Sequence, residues 1–406
     1  MKKKVIIITQ HFPPEATGGA SRLYEMSRTL QDSYDVTVVC PPPTFPFTKY
    51  KRQKYLYRKE NVDGFRVFRL WTYQPARHYP SLFLRVIYYA VFPVLAFFFL
   101  LAHMRDVTFV IISTPPSPLL ITSLVARLFR KKLIIDVRDF WIDLAVSLSY
   151  IRDDSFIVRW LRKFEEYCWK KSDLIITNSR IIYETLSSDT KLANKSKVKY
   201  FPFSVNLEVF KKVSGTPRNK EIVYIGNFGT AQNLKALIHA LPLVLEKTSG
   251  FKIQLYGGGD CEPEMKSLAR DLNIEKDVIF NDPVPREEIP LILSQSTLGI
   301  IALSSHNVVR YALPTKSLEY FASGLPVVAY GASDELELIM KKSQAGIYVR
   351  GDDKKQIADA IIKVLNDESA LAQYSINGRK FAEENTFNSL LSDVQTLIEE
   401  KQKISC

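Results

Sequence analysis

Residues 311–330, YALPTKSLEYFASGLPVVAY, hold a loop, a short helix and a strand in one stretch. Tyr311, Ala312, Leu313, Pro314 and Thr315 read as a proline-containing loop. A helix carrying Lys316 and Glu319 follows, and Gly324 and Pro326 end it. The β-branched run Val327, Val328, then Ala329, reads as a buried strand. Loop, helix start and strand in this order form an anion site in α/β proteins, because first-turn N–H groups and the helix dipole face whatever lies before the loop. Glu319, one turn into the helix, suits a carboxylate that grips sugar hydroxyls. The residues alone suit equally well a surface helix that packs through Leu318 and Phe321 and leaves Glu319 in solvent.

Pro314, Lys316, Glu319, Tyr320, Ala322, Gly324, Pro326, Val327, Val328 and Ala329 together resemble the nucleotide-sugar signature of the GT-B glycosyltransferases, specifically glycosyltransferase family 4. There the run P-x-K-x-x-E-Y/F-x-A-x-G-x-P-V-V-A is common among enzymes that build surface polysaccharides and lipid-linked glycans. The resemblance implies Lys316 and Glu319 as catalytic residues, with Leu313, Pro314 and Thr315 beside the donor nucleotide. Many members carry an acidic residue eight positions before this Glu. That position is Tyr311 here, so the paired-glutamate form is absent.

The 406 residues are 46% hydrophobic and 24% charged, as in globular proteins, and the length suggests two or three domains. The net charge of +12 is unevenly spread. Residues 1–205 carry 32 Lys/Arg against 17 Asp/Glu, and residues 206–406 carry 23 against 26. A field this one-sided favours an anionic partner for the first half: a phospholipid surface, a lipid diphosphate or nucleic acid. Cys40, Cys168, Cys261 and Cys406 are scattered and read as reduced thiols of a cytoplasmic protein. The start MKKKVIIITQ has too short an apolar run for a signal peptide and fits a first core strand.

Residues 5–9 read as that strand. The loop HFPPEATGG and a helix follow, with Gly18 and Gly19 allowing tight turns near a ligand. Family 4 carries a P-P-x-x-G-G loop here that approaches acceptor and donor phosphates. His11, Glu15, Gly18, Gly19 and Arg22 are the matching positions; for His11 alone a structural role stays open. Residues 35–40 and 65–71 read as strands. Between them, KYKRQKYLYRKE interleaves Lys/Arg with Tyr, a pattern for a membrane interface, nucleic acid or an exposed loop, of which the membrane is preferred.

Residues 86–102 lack any charge and contain Pro93. This is short of the ~20 apolar residues a membrane span needs. The preferred expectation is a helix that packs on the first domain and dips one face into the bilayer; a true span and a buried core helix stay open. A strand at 133–137 ends in Arg138, Asp139, Trp141 and Asp143, at the edge where open α/β sheets bind ligands. Polysaccharide-type members of the family show a V-R-D-x-W run here. This implies Asp139 as a catalytic residue bonded to an acceptor hydroxyl and Arg138 on the acceptor side. Alternatively Arg138 and Asp139 simply pair and hold the loop.

Residues 211–220 read as linker, and the α/β rhythm then repeats. After a strand at 221–225, GNFGTAQNL opens a helix; Gly226 and Gly229 let backbone approach phosphate oxygens. Most family members place Arg and Lys in this loop, whereas this chain offers Asn227 and Gln232. Gly257 lies in a GGGD turn, and the family forms its base pocket from main chain near Val284 and Pro285.

The expectation is an α/β chain of GT-B type: two doubly wound Rossmann-like domains facing a cleft. Residues 1–205 form the acceptor-binding, membrane-docking domain, joined by a returning helix at 386–406, and residues 206–385 bind the nucleotide-sugar. The resemblance implies a retaining glycosyltransferase that moves a sugar, from a UDP-sugar in preference, to a membrane- or lipid-linked glycan. No cofactor and no metal are expected, in keeping with the lack of an evident D-x-D motif, and no nucleic-acid motif is found. Localisation follows as cytoplasmic, peripheral on the inner face of the cell membrane. The alternatives are a non-catalytic GT-B scaffold in a polysaccharide assembly complex and, with no visible motif set, an epimerase of UDP-N-acetylglucosamine.

Overall fold

The computed structural model describes residues 2–385 apart from 16, 46, 77–80, 148–149, 191, 193–196, 202–204, 208, 211–218, 249 and 306–308, together with Val394 and Thr396. Most of the expected linker at 211–220 and most of the expected helix at 386–406 lie outside the described residues. The chain divides into two compact units, Met1–Pro202 with Phe387–Cys406, and Phe203–Thr386.

The first unit runs β1 (Lys3–Ile8), α1 (Gly18–Gln31), β2 (Tyr34–Cys40), β3 (Tyr57–Val62), β4 (Phe65–Leu70), α2 (Leu82–His103), β5 (Val107–Thr114), α3 (Thr122–Leu128), β6 (Lys132–Val137), α4 (Trp141–Ser147), α5 (Phe156–Lys171), β7 (Leu174–Thr177), α6 (Arg180–Ser188) and β8 (Val198–Tyr200). Its sheet has the order β3-β4-β2-β1-β5-β6-β7-β8. Every pairing is parallel except β3 with β4. The central strands are near-continuous Val/Ile runs because both faces are covered, which is what a parallel sheet requires. Val5, Ile7, Ile111, Ile134 and Ile176 are at most 1% exposed in one core, which Val394 joins.

Two elements differ from expectation. The stretch 49–60 is not all loop: Tyr57–Val62 forms the antiparallel edge strand β3. Its charged, largely exposed side chains hide the strand period and blunt the edge against further pairing. The helix α2 is longer than the uncharged run. By length and composition it is able to cross a membrane. Yet Tyr88, Phe92, Ala96 and Leu100, spaced four apart, are wholly buried against the unit, where α2 packs on α3, β2 and β4. Phe83, Val86, Val94 and Phe98 occupy the exposed side.

The second unit runs β9 (Glu221–Asn227), α7 (Leu234–Lys247), β10 (Lys252–Gly258), α8 (Glu262–Asp271), β11 (Val278–Asn281), α9 (Ile289–Gln295), β12 (Leu298–Ala302), α10 (Lys316–Ala322), β13 (Val327–Gly331), α11 (Asp334–Ser343), β14 (Gly346–Arg350), α12 (Lys354–Leu365) and α13 (Glu368–Glu384). Its parallel sheet has the order β11-β10-β9-β12-β13-β14. Strand order reverses between β9 and β12. Ligands of open α/β sheets bind at such a point, outside the carboxyl ends of the strands. Two apolar cores, one around Leu237 and Ile361 and one around Phe321 and Leu336, cover its faces.

Candidate functional site

In the second unit the carboxyl end of β9 and the helix α10 meet through Lys316. Its Nζ lies 3.7 Å from the Tyr224 ring centroid. A Cβ on Gly226, whose φ is +150°, would stand 2.5 Å from that Nζ. The Gly226 backbone conformation, which residues with a side chain rarely adopt, favours glycine there and leaves room for the lysine to cross the strand end. Lys316 as a residue is only half-buried, but its ammonium is covered by the ring and the strand end. Burial lowers it to about 7, with Glu319 pulling the other way.

Tyr320 fixes this arrangement. Its hydroxyl accepts the Ile225 N–H at 2.9 Å, and its ring fills the space over Gly299, where a Cβ would be 2.6 Å away. The motif tyrosine is thus structural, joining α10 to β9 and β12. Asn227 and Gln232 converge over Gly229: a Cβ there would be 2.8 Å from Asn227 Nδ2 and 3.0 Å from Gln232 Oε1. Gln232 Oε1 is a buried acceptor with no hydrogen-bond partner among the described residues. Gly257 lies against the Gly226 carbonyl, 1.8 Å from where its Cβ would be.

The expected loop donors of α10 are partly used. Ser317 N–H donates to Pro314 O (3.0 Å) and Leu318 N–H to Thr315 O (3.2 Å), tightening the first turn. Leu313 is 6% exposed and packs in the core, so its side chain is no ligand contact, while Pro314 and Thr315 are half-buried. Glu319 is paired with Arg286 at 3.1 Å. Arg286 directly follows Val284 and Pro285, so this ion pair brings the loop after β11 to the helix. Sequence reasoning missed Arg286; its only signal was its place beside the expected base pocket.

In the first unit, several expected ligand residues turn out to be scaffold. Arg22 is wholly buried. It donates to the Asp136 carboxylate (2.8 and 3.1 Å) and to Phe201 O (2.8 Å), and Ser113 Oγ donates to the same carboxylate (2.7 Å). It is a staple between α1 and β6, not a ligand contact. Arg138 donates to Thr114 O (3.2 Å) and Pro115 O (3.0 Å), and its guanidinium crosses Gly19, where a Cβ would lie 1.9 Å from it. The loop-holding alternative therefore describes Arg138, though its partners are these carbonyls and, at 4.0 Å, the Asp136 carboxylate rather than Asp139. Asp139 is exposed at the same sheet edge. Gly18 starts α1 behind the cap Thr17, whose side chain accepts the Ala20 N–H. Buried Glu15 accepts N–H bonds from Thr44 (2.6 Å) and Phe45 (2.7 Å) and pairs with His11 Nδ1 (2.7 Å). His11 is half-buried and oriented by this pair. Among the described residues no group of three His, Cys, Asp or Glu side chains has metal-binding geometry.

Residues 207–381 match the family described as Glycosyl transferases group 1. D-inositol 3-phosphate glycosyltransferase of Corynebacterium efficiens is 25% identical over 199 residues, 47% of this chain and 46% of its own. The chain spans about half the length of the first curated relatives it matches, 48%, 46% and 59%. Sucrose-phosphate synthase from Thermosynechococcus elongatus superposes with a TM-score of 0.73 at 16% identity, covering 99% of this chain and all of that one. HepE of Anabaena, solved in complex with UDP, superposes at 0.69 with 13% identity, covering 97% and 99%. The fold is that of the GT-B glycosyltransferases, two Rossmann-like α/β domains with parallel sheets.

Proposed function

We propose that the chain is a glycosyltransferase that moves a sugar from a nucleotide-sugar, with UDP as the nucleotide, to a membrane- or lipid-linked glycan, with retention of anomeric configuration. The observation that carries this reading is the Lys316 ammonium held at the end of β9 beside Gly226, with Glu319 one turn further along α10. In this reading the departing diphosphate takes its charge stabilisation from Lys316 and from backbone N–H groups of the loop after β9. The Asn227 and Gln232 side chains supply neutral hydrogen bonds where other loops would carry cations. Glu319 exchanges Arg286 for the ribose hydroxyls. The Glycosyl transferases group 1 match over the second unit and the UDP held by HepE of Anabaena support a nucleotide-linked donor. Asp139, exposed at the carboxyl edge of the first unit's sheet, is assigned to an acceptor hydroxyl.

The membrane part of the reading is supported by side chains of the first unit. Phe83, Val86 and Phe98 on α2 and Phe156, Ile157 and Trp160 on α5 are each more than half exposed. Arg159 and Lys163 are exposed on α5 as well. Apolar and basic residues sharing a helix suit an interface of lipid and water.

The test is UDP release from a panel of UDP-sugars. Release from at least one is expected. Glu319→Ala is expected to raise the donor KM at least tenfold, a loss of about 1.4 kcal/mol or more. An unchanged KM would contradict the role given to Glu319. Failure of every sugar to release UDP, with no UDP binding, would leave a non-catalytic scaffold.

A further inference from the structure

Helix α5 carries one acid that neither sugar transfer nor the lipid surface uses. Its buried side chains are Val158, Glu165 and Cys168, while Phe156, Ile157 and Trp160 are more than half exposed. Glu165 is 8% exposed. Its Oε1 accepts the hydroxyl of Ser117, which opens the turn Ser117–Ile121 against α5. A glutamine would accept the same bond, and a carboxylate costs far more to bury than a neutral group. Glutamate is therefore the costlier residue at this place.

The bond it makes leads to Asp139. Ser117 directly follows Pro115 and Pro116. In that loop Thr114 O accepts the Arg138 backbone N–H (3.1 Å) and its Nε–H (3.2 Å), and Pro115 O accepts from its Nη2 (3.0 Å). Asp139 is the next residue. On its other side Phe140 meets α5 directly: the Trp169 ring stands edge-on to it, with centroids 6.3 Å apart. Glu165 and Trp169 are four positions apart and share one face of the helix. Arg162 also donates to Asp143 on α4 (2.6 and 3.2 Å), which ties α5 to the residues beyond. The segment around Asp139 is thus braced from both sides by one helix, and on the Arg138 side the brace runs through Glu165.

The charge of that acid depends on pH near neutrality. Burial pushes it up to about 7 and Asp143 adds to this, while the Ser117 bond and Arg162 pull the other way. Cys168, three residues on, is pushed up to about 11 by burial and stays uncharged; α3 presents Ser123 and Arg127 to that thiol. Below pH 7 a neutral acid therefore sits against Ser117. Above it a carboxylate faces Asp143 with little water to screen the two. The unfolded chain ionises at the ordinary glutamate value, so this group makes stability fall as pH rises from that value through 7.

We propose that Glu165 is a positioning residue for Asp139, acting through Ser117 and the 114–115 carbonyls that fix Arg138. Its part in the reaction rests on the transferase reading, in which Asp139 meets the acceptor hydroxyl. Ionisation of Glu165 loosens the brace and lets the 138–140 segment move.

Amide hydrogen exchange over residues 138–142 of the full chain, corrected for intrinsic rates, is compared at pH 6 and pH 8.5. Exchange at least fivefold faster at pH 8.5 is expected. Glu165→Gln, which keeps an acceptor for Ser117 and cannot ionise, is expected to abolish the difference. Ser117→Ala is expected to exchange fast at both pH values. In turnover of whichever UDP-sugar releases UDP, kcat of Glu165→Gln is expected to match the wild type within twofold at pH 6 and to exceed it at least fivefold at pH 8.5, with donor KM changed less than twofold. Lys316 titrates near pH 7 in both proteins, so the ratio isolates Glu165. Glu184→Gln, which removes an exposed carboxylate of α6, is expected to follow the wild type throughout. Equal exchange in the wild type and Glu165→Gln at pH 8.5 overturns the positioning role, and so does a difference in exchange with no difference in kcat. Absence of UDP release from every sugar removes the transferase reading; the exchange difference, if present, then leaves Glu165 as the group that holds Asp139 in place.

Discussion

At the scale of single residues the decisive group is Lys316, because its charge is set by its surroundings. Burial against Tyr224 and Gly226 lowers its ammonium to about 7 from the ordinary lysine value. An incoming diphosphate favours the charged form, so UDP binding is expected to weaken as pH rises from 6 to 9 and to take up a proton above pH 7. Calorimetry in buffers of different ionisation enthalpy measures that proton. Lys316→Met is expected to bind UDP at least tenfold more weakly at pH 6, about 1.4 kcal/mol, and to lose proton uptake above pH 7. A wild-type protein with no proton uptake above pH 7 would remove the lysine from the phosphate site. The sign is opposite for the ligand-free fold. A lowered lysine means the unfolded chain holds the extra proton between about pH 7 and the ordinary lysine value, so this group makes stability rise with pH across that window.

At the scale of elements, the loop-helix-strand run at 311–330 was readable because its signals are local: a proline loop, a short amphipathic turn, then Gly324, Pro326 and a β-branched run. The roles of Arg22 and Arg286 were not. Arg22 meets Asp136 across 114 positions and Arg286 meets Glu319 across 33, and no period in the sequence marks either pair. Glycine spacing was legible at Gly226, but that the side chain it makes room for is Lys316 belongs to the packing of α10 on β9. β3 was hidden for the reverse reason, since an exposed, charged edge strand has no buried face to show a period. The Arg22–Asp136 staple joins α1 to β6 with both side chains fully buried. Removing one partner leaves an uncompensated buried charge. Asp136→Asn is therefore expected to cost about 3–5 kcal/mol of stability. Thermal or denaturant unfolding measures this. A loss below about 1 kcal/mol, the range of an exposed pair, would show that water reaches the arginine.

At the scale of the whole chain, the positive charge and the exposed apolar side chains fall in the same half. Residues 1–205 hold the excess of Lys/Arg, and α2 and α5 of that half expose Phe83, Phe98, Phe156 and Trp160. Either feature alone has an ordinary explanation: basic surfaces keep proteins soluble, and single exposed apolar residues are common. Together they separate two contributions to lipid affinity that salt distinguishes. The electrostatic part is screened within about 10 Å at 0.1 M salt, whereas apolar insertion is not. The full chain is expected to sediment with vesicles containing anionic lipid at low salt and to be released in large part by 0.5 M salt. Phe156→Ser with Trp160→Ser is expected to lower the bound fraction at both salt concentrations, because about 25 cal/mol is lost for each Å² of apolar surface that no longer enters lipid. Binding that depends on salt but is indifferent to this double substitution would confine the contact to charge and take α5 out of the membrane reading. No sedimentation at low salt would remove that reading entirely, and the proposed acceptor would then have to reach the protein from solution.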